Sequence, residues 1–183
     1  MNNELRDELL SMQHEDQKTL QELIDSGELG TVEYHPTIKD VHERNNKRIK
    51  EIIGQQGWPG ISLVGKEAAE AAWLIVQHAV LDTVFMESCL AHLREAVKRG
   101  EAEGSHLAYL QDRVLTMSWK PQIYGTQHDV DESGTAFPLP MENPVEVDSL
   151  RREMGLGTLA EATRRIQERV NAIRRNRKAN QAE

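Results

Sequence analysis

The chain has 183 residues, a formal charge of −8, one cysteine and only 4% aromatic residues. That length supports a sizeable hydrophobic core, which aliphatic side chains must build because rings are so few. The lone Cys89 excludes an internal disulfide and any paired-cysteine zinc site.

No run of about 18 apolar residues occurs, so no membrane span and no membrane partner are expected. The opening MNNELRDELL lacks the apolar stretch of a secretory signal. A cytoplasmic location is the expectation. The charge is divided unevenly. Residues 151–183 carry nine basic and four acidic side chains, and the preceding 150 carry thirteen and twenty-six. An acidic body of this kind repels nucleic acid, and no helix-turn-helix pattern offsets that, so no nucleic-acid partner is expected.

Helical periodicity dominates the chain. The first helix is expected over about 3–26, with Leu5, Leu9, Met12, Leu20 and Leu23 on one face and Gly27 and Gly30 ending it. A second follows over about 38–54, preceded by Pro36, capped by Thr37 and ended by Gly54 and Gly57. The third, near 65–80, contains AAEAAWLIVQHAV and is apolar almost all round, as a central buried helix should be. A fourth is expected over 83–99, with Phe85, Cys89, Leu90, Leu93 and Val97 inward. A fifth covers 106–118, with Leu107, Leu110, Val114 and Met117 inward. Residues 120–147 show no periodicity and read as a long irregular loop. A short helix is expected at 148–154. The last helix begins at Thr158, where T-L-A-E supplies a capping box with Glu161.

The fold class is therefore an all-α helical bundle of about six helices. Residues 1–160 form the helical domain, and 161–183 an appended basic helix or tail. That tail is the expected docking element for a second copy of the chain or for another protein. Trp58, Trp73 and Trp119 are expected to pack rather than to stack on a ligand.

Polar side chains at inward positions carry the functional argument. At 100° per residue, His42 and Asn45 fall within the stripe of Ile38, Val41, Ile49 and Ile52. Asp16 lies in the middle of the first helix's apolar face, and His78 closes the apolar third helix. Asp112 and Arg113 border the inward stripe of the fifth. A buried imidazole or amide costs about 1–3 kcal/mol when unpaired, so such groups need partners or a function. Several of them together mark a candidate site.

These residues resemble the signature of DUF6624, a family of unknown function. The matching pieces begin with Asp16-Gln17 and His42-x-x-Asn45, the latter leading to EIIGQQGWPG (51–60). LVG (63–65), AAWLIVQHA (71–79) and LAYLQDRV (107–114) follow. The last are PQ-x-YGTQ (121–127) and R-R-x-x-G-L (151–156). The resemblance spans about residues 5–160. It implies that the inward polar residues form a recurring set, and it names no reaction.

Neither a G-x-S-x-G nucleophile elbow nor a G-x-x-x-x-G-K-[ST] or G-x-G-x-x-G phosphate loop occurs. The expected function is acid–base chemistry on a small polar, anionic molecule, of isomerase, lyase, cyclase or hydrolase type, without a cofactor or a metal. His78, Asp112, His42 and Asp16 are the catalytic candidates. Arg113 is the anion anchor, and Asn45, Gln122, Tyr124 and Gln127 are substrate-binding candidates. Two alternatives stand beside this. One is a metal-dependent bundle enzyme using the same histidines and aspartates. The other is a non-enzymatic helical module that binds a ligand or a protein.

Overall fold

The computed structural model describes residues 1–29 and 34–180, with side chains through 176. Gly30, expected to help end the first helix, lies outside the described residues. The chain divides into two compact units, Met1–Ala102 and Glu103–Glu183.

The first unit is helical throughout. α1 (Asn3–Asp25) starts where the Asn2 side chain accepts a hydrogen bond from Leu5 N, and buries Leu5, Leu9, Leu23 and Ile24 together with Asp16. α2 (Pro36–Gln56) begins earlier than its pattern suggested. Pro36 takes the first helical position, where a missing N–H costs nothing. His35, not Thr37, then becomes the cap, its ring accepting from Thr37 N at 3.3 Å. The α2 stripe buries Ile38, Val41, Ile49, Ile52 and Ile53, at about 1.5–3 kcal/mol for each fully buried aliphatic side chain.

α3 (Ile61–Val64) is a single turn ending at Gly65, in a stretch where no helix was expected. α4 (Lys66–Gln77) buries Ala68, Ala69, Ala71, Ala72, Ile75 and Val76. Its alanines let both α1 and α2 pack closely against it. α5 (Thr83–Lys98) is capped by Asp82, which accepts from Phe85 N. Its buried face is Met86, Cys89, Leu90, Leu93 and Ala96, rotated from the expected one so that Phe85 and Val97 fall at its edge.

The second unit mixes helices with a small hairpin. α6 (Gly104–Met117) buries Leu107, Ala108, Leu110, Asp112 and Val114. Trp119 lies just beyond it in a left-handed conformation (φ 58°) and is 96% exposed. It ends the helix and does not pack. Part of the segment expected to be irregular pairs as β1 (His128–Val130) and β2 (Ala136–Pro138), antiparallel with Asp129 opposite Phe137. Three-residue strands are too short to show alternation in a sequence. α7 (Val147–Glu153) follows.

α8 (Leu159–Asn180) opens with the expected capping box. Thr158 N donates to Glu161 Oε2 at 2.8 Å, and Glu161 N to Thr158 Oγ1 at 3.2 Å. The start of α8 is held to the hairpin: Ala162 is buried, Thr163 meets His128 Nε2 at 2.9 Å, and Gln167 accepts from Ala136 N at 2.7 Å. Arg164, Arg165 and Arg169 face solvent. The fold is thus all-α, with eight helices and one two-stranded sheet among the described residues. None of those helices is long and apolar enough to cross a membrane.

Candidate functional site

In the first unit, the mutual packing of α1, α2 and α4 brings three side chains to one point. Asp16 comes from the buried face of α1, His42 from the α2 stripe, and His78 caps the C-terminus of α4. Asp16 is only 1% exposed. Its Oδ2 accepts from His78 Nδ1 at 2.8 Å, and Oδ1 accepts from Gln17 Nε2 at 3.0 Å. His42 Nε2 lies 3.1 Å from Oδ2, within ion-pair distance, yet without the direction of a hydrogen bond. The two imidazole rings are tilted with centroids 4.8 Å apart.

A fourth group completes the arrangement. The Tyr34 ring packs against Leu23, Ile38 and Val41, and this seat presents its hydroxyl to His42 Nδ1, to which it is hydrogen-bonded. Burial, reinforced by the charges of Asp16 and Glu43, pushes the Tyr34 phenol up to about 12. Asp16 moves the other way. Burial alone would raise its pKa, but the close approach of His42, the hydrogen bond from His78 and the charges of both imidazoles outweigh burial and hold it well below the usual carboxylate range. The carboxylate is ionised at neutral pH. Among the described residues no Lys or Arg is paired with it.

Tyr34, His42 and His78 border a small pocket, with Glu43, Asn46, Ala79 and Leu81 completing its wall. Its volume of about 10 Å³ suits one water-sized species. Asn46 Oδ1 is buried there without a partner among the described residues, as is His42 Nε2. One ligand atom from each of Asp16, His42 and His78 lies within 4.8 Å of the other two, so the trio can hold a metal ion.

The other candidates have different surroundings. Asn45 is buried, and its Nδ2 reaches Met12 O at 3.4 Å, tying α2 to α1. Asp112, Arg113, Gln122, Tyr124 and Gln127 belong to the second unit. Both oxygens of fully buried Asp112 are engaged by the loop that follows α6. Ile123 N donates at 2.8 Å, Tyr124 N at 3.0 Å, and Thr126 N and Oγ1 each at 2.9 Å. Gln122 donates to Gln127 O and Leu139 O, both at 2.9 Å, and accepts from Gln127 N at 2.8 Å. Arg113 Nε donates to Gln127 Oε1 at 3.2 Å, and burial lowers its pKa. Arg151, buried on α7, donates from Nε to Gly157 O and from Nη1 to Tyr124 O. The PQ-x-YGTQ segment is therefore pinned from below by Asp112 and from the side by Arg151.

Tyr34, Asn46 and Arg151 were not among the sequence candidates. Tyr34 precedes α2 and so has no helical phase to place it. Asn46 sits 100° from the α2 stripe residue Asn45. Arg151 was visible in R-R-x-x-G-L, but nothing in that pattern told that it would be buried.

A model of a family of unknown function, DUF6624, matches residues 3–173. No curated protein and no solved structure matches the chain.

Proposed function

The chain belongs to this family, and from the geometry of its first unit we propose that it is an enzyme acting by general acid–base catalysis on a small polar molecule. The observation that supports this is a buried, ionised Asp16 shared by two imidazoles at the edge of a pocket.

Asp16 accepts the Nδ1–H of His78, which fixes the tautomer and leaves the lone pair on Nε2. The described residues give Nε2 no hydrogen-bond partner, and the ring lines the pocket. His78 is thus the general base: Nε2 takes a proton from the substrate, and Asp16 stabilises the imidazolium that forms. His42, oriented by Tyr34, returns a proton to the departing or newly formed atom. Asp16 and Tyr34 are positioning residues. The chemistry is of isomerase, lyase, cyclase or hydrolase type. The pocket admits one reacting group rather than a whole molecule.

The test is an untargeted depletion assay. Purified protein is incubated with a small-molecule extract of cells, and the mixture is followed by mass spectrometry. A substrate should fall and a product rise with wild type but not with His78→Gln or Asp16→Asn. Equal turnover by a folded His78→Gln protein overturns the proposal.

A further inference from the structure

We infer that Asp16, His42 and His78 bind one divalent transition-metal ion. This rests on the reading of the trio as the working centre; the ion takes the place of the protons that face Asp16 on His78 Nδ1 and His42 Nε2, so in the loaded centre both imidazoles are ligands and not the acid–base pair.

The spacing of donors is the first argument. Bonds of about 2.1 Å around a tetrahedral or octahedral ion set neighbouring ligand atoms roughly 3–3.4 Å apart. Asp16 Oδ2 is 2.8 Å from His78 Nδ1 and 3.1 Å from His42 Nε2, and all three residues offer atoms within 4.8 Å of one another. Small movements of side chains would open the centre to an ion.

The second argument is the unused nitrogen. His42 Nε2 is buried, beside a carboxylate, and makes no hydrogen bond among the described residues. Its other nitrogen is held by the Tyr34 hydroxyl. A ligating histidine characteristically has its second nitrogen fixed in this way, donating its N–H outward so that the remaining lone pair faces the ion. The unpartnered atom and the outer partner thus belong to one pattern.

Charge and size agree. Asp16 has no Lys or Arg partner among the described residues, and a buried carboxylate without one is suited to coordinate a metal ion. The adjoining pocket has room for a water-sized species, with the unpartnered Asn46 Oδ1 in its wall. Two imidazoles and a carboxylate select zinc, iron(II) or a similar ion over magnesium or calcium, which prefer all-oxygen sites. Three protein ligands leave a position open, the hallmark of a catalytic rather than a structural site.

The full-length chain, free of any affinity tag and stripped with EDTA, is titrated with zinc(II) by calorimetry and with cobalt(II) by visible absorption. One ion per chain is expected. His42→Gln and His78→Gln should each weaken binding about 100-fold, and Tyr34→Phe about tenfold. His14→Gln, on the exposed face of α1, should leave it unchanged. Should the glutamine variants unfold, proton NMR of the cobalt(II)-loaded wild type gives an independent reading through the shifted imidazole signals of two histidines. Absence of saturable binding overturns the inference. So does undiminished binding by both glutamine variants, or a loaded wild type without shifted histidine signals. One-to-one binding without substrate depletion keeps the metal site and removes the proposed function. Depletion that survives EDTA does the reverse.

Discussion

Replacing Asp112 with Ala removes the acceptor for four donors at once: the amides of Ile123, Tyr124 and Thr126 and the Thr126 hydroxyl. The residue is fully buried, so water does not readily replace it. At about 1 kcal/mol for each bond left unmade, the loss is about 4 kcal/mol. Against a typical stability of about 5–15 kcal/mol, that is a large fraction. The loss should be local first, because the donors all lie in one short segment. Hydrogen exchange followed by NMR reads it directly. The amides of residues 123, 124 and 126 should exchange up to about a thousandfold faster, the equivalent of about 4 kcal/mol. Asp112→Asn keeps one carbonyl oxygen but turns an amide N–H₂ toward groups that are themselves donors. It should cost about half as much. Exchange at these three amides no faster in Asp112→Ala than in wild type would refute the idea that this carboxylate holds the loop.

Gly125 has φ 63°, and a Cβ there would approach Leu159 Cδ1 to 2.7 Å. Gly125→Ala should therefore destabilise by about 2–3 kcal/mol in urea unfolding, from strain and clash together, while Gly155→Ala, with φ 71° and open space, costs only the left-handed strain of about 1–2 kcal/mol. Arg151→Ala frees the carbonyls of Tyr124, Gly125 and Gly157 and should cost about 4–5 kcal/mol, from three charged hydrogen bonds of about 1.5 kcal/mol each; faster exchange around residue 125 checks it. Burial pushes the Cys89 thiol up to about 12, so it should not react with a thiol reagent at pH 8 until the protein unfolds. The unfolded thiol ionises near pH 8.5. The stability gained by burying it neutral is therefore complete below that pH and falls as pH rises toward 12. Melting temperatures of wild type and Cys89→Ala should accordingly converge with rising pH.

The apolar periodicity of the long helices was legible because their burial is one-sided, and one-sided burial leaves a 3.6-residue mark. Asp16, His42, Asn45 and Asp112 stood out as polar breaks in that mark, and each is in contact with another element or loop as a buried polar group must be. The same pattern could not say which of them meet. Asp16 and His78 are 62 positions apart, and only the packing of α1 on α4 sets them 2.8 Å from each other.

The rest was hidden for related reasons. Gln122 and Gln127 looked free to bind a ligand, since an amide in a loop has the same sequence appearance whether it bonds to substrate or to its own backbone. The structure uses Gln122 for the backbone of Gln127 and Leu139. Tyr34 carried no phase because it precedes its helix, and the short β1–β2 pair carried no alternation.

By itself, the sequence determined the helical class, the capping box at Thr158 and which faces must be buried, all consequences of interactions within a few residues. The tertiary structure alone decided that Asp16, His42, His78 and Tyr34 share one centre, and that Asp112 and Arg151 hold a loop. Those outcomes depend on which helices pack together, and local spacing does not encode that.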